Sequence, residues 1–368
     1  MSMVEWKKLG EVVELARGVR VVKTDLATEG MIPVFQNSLS PLGYYDIHNY
    51  PAGTTFVISA GAAGDIGFSD MPFWAADDCL GVTCPNDTLN KFVFYFLQTK
   101  QSILKSQVRK ASVPRLSRTV VEKLDFPCIP ISEQSRIVGI LDTFTASIAN
   151  LKEQIGERRK QYEHYRDQLL DLEGKEGVEM KTLGEVGEFI RGAGILKSDF
   201  VDEGMPCIHY GQIHTKYGFS TSTTFSRISE SLYKKSRKAI YGDVVLATTS
   251  EDAEGVARPV VWLGEDSVAI SGDSYVYHHS QNGKYMAHLF LSHRFFLFKI
   301  RNATGAKVVR ISGDSMAKFE FPLPSLSEQS RIVSILDQFE ASIANLEAQL
   351  QEREKQYEHY RNQLLTFE

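Results

Sequence analysis

Residues Ile131 to Leu170 recur 195 positions later as Leu326 to Leu365, with 30 of the 40 residues identical. A repeat of this length and period requires two equivalent structural units. The identity extends to charged positions that packing alone would leave free to drift, so the two copies share a task.

A shorter echo stands at the front of each half. Leu9-Gly10-Glu11-Val12, Arg17-Gly18, Lys23 and Glu29-Gly30-Met31 recur as Leu183-Gly184-Glu185-Val186, Arg191-Gly192, Lys197 and Glu203-Gly204-Met205, an offset of 174. The shortfall from 195 means extra residues inside the second half, between two like frames. One scaffold therefore carries two different interiors.

The repeated segment has the spacing of a long helix with a coiled-coil seam. Ile137, Leu141, Phe144, Ile148, Leu151, Ile155, Arg158, Tyr162, Tyr165 and Leu169 follow by alternating steps of four and three. Ile332, Leu336, Phe339, Ile343, Leu346, Leu350, Arg353, Tyr357, Tyr360 and Leu364 repeat them. Arg158 and Arg353 interrupt both seams at one heptad position, as register-setting polar residues do. Ser132 and Ser327, each followed by Glu, read as N-caps. A helix of this length, about 60 Å at 1.5 Å per residue, needs a partner, and the other copy supplies one. Parallel and antiparallel pairing are both open. The antiparallel choice relates the halves by an approximate two-fold.

Outside the helices the chain is strand-rich. Thr54 to Ser59, Asp243 to Thr248, Val256 to Leu263 and Ser274 to His278 are β-branched or aromatic runs bounded by turn residues. Helical runs follow at Lys91 to Gln107 and Gly283 to Phe298. The expected fold is α+β: two strand-rich globular domains, 1–131 and 174–326, each followed by a long helix, 132–173 and 327–368. The two helices pair as an antiparallel coiled coil with pseudo-two-fold symmetry.

The net charge of −5 hides an uneven distribution. Thr99 to Arg118 holds no acid but contains Lys100, Lys105, Arg109, Lys110, Arg115 and Arg118. Ser274 to Gly313 holds none either, with Lys284, Arg294, Lys299, Arg301, Lys307 and Arg310. Both stretches precede a repeated helix, and Arg115-Leu116-Ser117 falls on Arg310-Ile311-Ser312. Two basic faces on an acidic chain fit phosphate engagement by two modules. A solvated helix face is the plainer explanation of such a charge run.

Chemistry of its own is not indicated. The chain lacks a Gly-x-x-x-x-Gly-Lys-[Ser/Thr] phosphate loop and the Pro-Pro-Tyr motif of amino methyltransferases. Gly61 to Gly67 reads as a strand-end turn. Cys79 and Cys84 lack a second ligand pair and His278-His279 is a lone doublet, so no metal site is expected. Cys79, Cys84, Cys128 and Cys207 read as buried free thiols. The N-terminus has no signal core and no apolar run reaches a membrane span, which points to a cytoplasmic protein.

The order of domain, Pro-rich lead-in with Ser-Glu-Gln (Ser132-Glu133-Gln134, Ser327-Glu328-Gln329), long helix, second domain and second helix resembles the specificity subunit of type I restriction-modification systems. The paired SEQSRIV and ILDxFxASIANL motifs carry that resemblance, which spans essentially the whole chain. It implies a non-catalytic DNA-binding subunit whose globular modules are target recognition domains for a bipartite, asymmetric sequence. The helices would space the two half-sites and dock two modification (methyltransferase) subunits, with two restriction (endonuclease) subunits completing the complex. S-adenosylmethionine, ATP and Mg would belong to those partners, leaving no cofactor on this chain.

Base and phosphate chemistry selects the candidate contacts. They are Gln36, Asn37, Tyr44, Ser59, Arg109, Lys110 and Arg115 in the first module, and Gln212, His214, Thr249, Ser250, Lys307 and Arg310 in the second. The alternative is a coiled-coil scaffold joining two protein-binding domains without DNA contact. An enzyme with an unrecognised site is a further rival.

Overall fold

The computed structural model describes residues 4–22, 24, 26–305 and 307–367; Lys23 of the front echo lies outside them. It divides into two compact units, one of residues 1–153 with 347–368, the other of residues 154–346. Each unit thus holds one globular module, the start of the helix that follows it, and the end of the other helix.

In the first unit the central strand Thr54–Ile58 is buried along its whole length, as its unbroken β-branched and aromatic run requires. It pairs antiparallel with Ile66–Ser69 on one side and Cys79–Thr83 on the other, and Glu14–Arg17 adds beyond Cys79–Thr83. Phe35, Phe56, Phe73 and Ala75 join this sheet to a smaller one of Ile32–Phe35, Gly43–Tyr45 and Trp74–Ala75. Helix Asn90–Ser106 packs Phe92, Val93, Phe96 and Leu97 into the core with Val57, Leu80 and Val82. A ribbon of Glu5–Lys8 with Asp125–Cys128 leads into helix Ile131–Leu170.

The second unit repeats this plan with additions. Val244–Ala247 is the buried central strand, flanked by Ser274–His279 and Arg258–Trp262, with Gly187–Arg191 beyond Ser274–His279. A short strand, Ser220–Thr221, extends the far edge, and a second five-stranded sheet is built from Phe200–Val201, Ser226–Ile228, Met205–Ile208, Val268–Ile270 and Lys238–Ala239. Strand register locates the extra residues. Arg17 lies opposite Leu80 as Arg191 lies opposite Tyr275, Ile58 opposite Cys79 as Ala247 opposite Ser274, and Val57 opposite Ile66 as Leu246 opposite Pro259. The offset therefore grows mostly before the central strand, a little in the hairpin after it, and least beyond.

The Arg-Gly echo has a physical cause. Arg17 Nε donates to the Asp77 carbonyl at 2.6 Å and Arg191 Nε to the Gly272 carbonyl at 3.0 Å. A Cβ on Gly18 or Gly192 would fall 2.2 Å from the Ala75 carbonyl oxygen or 2.0 Å from that of Ser271, so no other residue fits.

The two helices run antiparallel where they meet within a unit. Phe144 stacks on Tyr360 at 5.3 Å and Lys152 pairs with Glu354 at 2.9 Å in the first unit; Tyr165 stacks on Phe339 at 5.4 Å in the second. Arg353 lies over the Phe144 ring and Arg158 over Phe339, so the seam arginines cover aromatic seam residues of the facing helix. Ile155 is buried, while Ile148, Leu151, Ile343, Leu346 and Leu350 are half-buried. The seam's N-terminal positions have a second client: Ile137, Leu141, Ile332 and Leu336 sit in the cores of their own modules.

Three expectations need correction. The helices begin at Ile131 and Leu326, one residue early, so Ser132 and Ser327 lie inside the first turn; the cap of the second is Ser325, whose Oγ accepts the Glu328 N–H at 3.3 Å. The single helix expected over Gly283 to Phe298 is two, Gly283–Leu291 and His293–Asn302, because Ser292 adopts an extended backbone and its Oγ caps Phe295 N–H. The four thiols are free, but only Cys79 and Cys207 are buried; Cys84 and Cys128 are half-buried. Burial pushes the Cys84 thiol up to about 12 and that of Cys207 to about 11. Among the described residues no helix is long and apolar enough to cross a membrane.

Candidate nucleic-acid interface

Each acid-free stretch ends in a closed hairpin attached to the end of its module's central strand. In the first module Arg109 N–H donates to the Arg115 carbonyl at 2.8 Å and Arg115 N–H returns to the Arg109 carbonyl at 3.2 Å. In the second, Thr304 and Arg310 make the same reciprocal pair at 2.8 Å. Leu116 N–H then bonds the Ser59 carbonyl at 2.8 Å, and Ile311 N–H the Thr248 carbonyl at 3.4 Å. Arg109, Lys110 and Arg115 are exposed on one hairpin, Lys307 and Arg310 on the other. Such a hairpin holds its cations in water without burying them, the condition for exchanging counterions against phosphates.

Around the first hairpin the backbone forms a continuous edge. Gly61 N–H donates to the Pro114 carbonyl at 3.1 Å and Ala62 N–H to the Asn37 carbonyl at 2.9 Å. Gly61 has φ +81° and a Cβ there would lie 2.7 Å from the Asn37 oxygen, so this turn depends on glycine. Asn37 is exposed and Gln36 half-buried, its Nε2 donating to Asp77 Oδ1 at 3.1 Å. Tyr44 is apart from this edge, in strand Gly43–Tyr45 of the smaller sheet. Ser59 corrects the sequence reading: it is buried, and its hydroxyl donates to the Asp78 carbonyl at 2.9 Å, so it holds the edge rather than facing outward.

In the second module Thr249 pairs with Arg310 and Ser250 with Val309 in a two-stranded ribbon, so three candidate residues meet. His214 joins them, its Nε2 at 2.9 Å from the Thr249 carbonyl. A cleft of about 1000 Å³ opens beside this ribbon, lined in part by His214, Thr249, Ser250, Arg258 and Lys299. Gln212 is turned inward, with Nε2 donating to Ser226 Oγ at 2.7 Å in the buried interior. Its candidacy as a base contact fails for that reason.

Sequence reasoning missed Thr248. Its hydroxyl donates to the Asp273 carbonyl at 3.2 Å, the counterpart of the Ser59 bond to Asp78. Only strand pairing aligns the two, because the local offset there differs from that of either sequence echo. The loops beside the hairpins also differ in charge. The second carries Glu251, Asp252 and Glu254, whereas the first carries Asp65 alone, which is paired with Lys105 at 2.7 Å. Carboxylates repel phosphate and accept from exocyclic amines, so the two edges present unlike chemistry to a duplex.

Residues 1–158 and 175–355 match the model of the type I restriction modification DNA specificity domain. The chain is 30% identical over 399 residues to the EcoR124I/EcoR124II specificity subunit of Escherichia coli, covering 99% of this chain and 94% of that one. A putative type I restriction enzyme specificity subunit of Haemophilus influenzae is 29% identical over 390 residues, covering 100% and 96%. Among solved structures, the S subunit of a type I restriction-modification system from M. genitalium superposes with a TM-score of 0.64 at 15% identity, over 100% of this chain and 97% of that one. A chain from a structural study of type I system assembly and conformational transition gives 0.61 at 18% identity, covering 99% and 97%.

Proposed function

The chain belongs to the type I restriction-modification DNA specificity family, and on that footing we propose that its two modules read the two halves of one split DNA target. The observation that carries this is the duplicated basic hairpin, fixed by the same backbone bonds to the same strand end in both modules, beside loops of different length and charge. The shared part suits phosphates, which carry no sequence information; the unlike part suits base edges. Arg109, Lys110, Arg115, Lys307 and Arg310 take the phosphate role. Asn37, Gln36, His214, Thr249 and Ser250 are assigned to bases, with Ser59 and Thr248 positioning them. Tyr44 would reach DNA from the smaller sheet.

As a specificity subunit the chain selects the site, and catalysis belongs to other subunits. It works with restriction-modification partners and with DNA. Two modification subunits docked on the two repeated helices, and two restriction subunits beyond them, are the stoichiometry that a duplicated surface supports. S-adenosylmethionine, ATP and Mg would be held by those partners.

The test is to reconstitute the chain with its modification subunits and map methylated adenines in treated genomic DNA. A motif of two defined segments separated by a fixed unspecified gap is expected. A single contiguous motif, or no sequence preference, would overturn the reading.

A further inference from the structure

The loop after each central strand is held by a lysine from the helix that precedes the basic hairpin. In the second module Lys299, on His293–Asn302, is 6% exposed and donates from Nζ to the Glu254 carbonyl at 2.7 Å and the Val256 carbonyl at 3.0 Å. The loop it holds starts at the Thr249–Ser250 ribbon and ends at strand Arg258–Trp262. Ala257 stands there at φ +59°, a conformation rare for a residue with a side chain, and its N–H bonds the Ala247 carbonyl at 2.8 Å.

The first module does the same by other means. Lys105, on Asn90–Ser106, pairs its Nζ with Asp65 Oδ1 at 2.7 Å, and Gln101 Nε2 adds a bond to the same oxygen at 3.1 Å. Asp65 closes the turn that carries Gly61 and Gly64, both at positive φ. Lys299 is too deeply buried to neutralise a phosphate, and the Lys105 ammonium is already paired with Asp65. An ammonium buried like that of Lys299 carries a desolvation cost, seen in its being pushed down to about 8, and is accepted only where its donors are taken up.

We infer that Lys105 and Lys299 are positioning residues for recognition, each fixing the loop after its module's central strand, which bonds Asn37 through the Ala62 N–H in the first module and begins at Ser250 in the second. The inference rests on the two-half-site reading above. It predicts independence: each lysine governs one half-site and leaves the other alone, which a general structural role would not do.

The experiment uses the full chain in complex with its modification subunits. Methylation rates are compared on duplexes carrying the complete target and on duplexes with single base changes in either half. In Lys299→Met, discrimination in the second module's half-site should fall about tenfold with the first half-site unaffected; Lys105→Met should do the reverse. Unchanged discrimination in both variants, or equal relaxation of both half-sites by each, would overturn the inference. Methionine keeps the aliphatic volume at 299, and thermal melting reports whether the fold survives. Lys105 is half exposed, so its variant carries the test even should Lys299→Met fail to assemble. A wild-type complex with no two-part target would remove the underlying reading; wild-type recognition with unaltered variants would remove only the lysines' role.

Discussion

Arg115 and Arg310 occupy one place in two hairpins, each with its backbone locked and its guanidinium in solvent. Replacing either by Ala should weaken binding of the assembled complex to all duplexes alike and lower the salt slope, d log K against d log [salt], by about one. Titration of affinity against salt checks this; an unchanged slope for both would take the hairpins out of the interface. His288 makes a prediction of another kind. It is buried, with Nδ1 at 3.1 Å from the Tyr162 hydroxyl and Nε2 without a partner among the described residues, and burial pushes it down to about 3. His279 is lowered to about 4, again first by burial. Both folded values lie below the usual one near 6.5, so the unfolded chain binds more protons in between. The stability these residues contribute is complete above about pH 6.5 and is lost as pH falls through about 4 for His279 and about 3 for His288. Urea unfolding at pH 7.5 and 5.0 should show the loss, and His288→Gln should flatten it. Legibility at this scale was mixed. The cationic positions were visible because charge runs need no three-dimensional knowledge. Ser59 and Gln212 were misjudged because a polar side chain near a strand end reads alike whether it faces water or an interior carbonyl.

The elements show what the Ser-Glu-Gln motif is for. Gln134 Oε1 accepts the Leu89 N–H at 2.8 Å, while its Nε2 donates to the Asp87 and Ile129 carbonyls at 2.9 Å. Gln329 repeats this with Asn282 N–H at 3.0 Å and with Gln281 Oε1 and the Pro324 carbonyl at 2.9 Å. Leu89 and Asn282 are the residues where the module's own helix begins. Each glutamine is a buried bolt between a module helix and the long helix, with Lys91–Asp142 and Lys284–Asp337 pairs beside them. Gln134→Leu or Gln329→Leu removes the bond partner of three polar groups, most of them partly buried, and should cost about 1–3 kcal/mol. Denaturant unfolding measures it, and a loss well below 1 kcal/mol would contradict the account. The heptads were legible because 40 near-identical residues state their own register. The break at Ser292 was not, since the flanking sequence stays apolar and cationic and a hydroxyl chooses between helix and cap by context. Two-residue strands such as Lys238–Ala239 and Phe200–Val201 were also hidden, because only partners far along the chain define them.

For the whole molecule, the arrangement in each unit matters more than the order along the chain. The first module is completed by Tyr357, Leu364, Leu365 and Phe367, with Trp6 against Phe367 at 6.4 Å. The second is completed by Tyr162, Leu169, Leu170 and Leu172. Except at the last position, these are the same residues 195 apart. The end of the first helix therefore already carries what the first module takes from the second. A chain cut after residue 173 holds one module, the helix start it needs, and a helix end that another such chain can use. Two half-length copies should exchange those ends and close as a homodimer, which sedimentation would reveal; a stable monomer would contradict it. Such a dimer would present the same reader twice, and its target would become a palindrome.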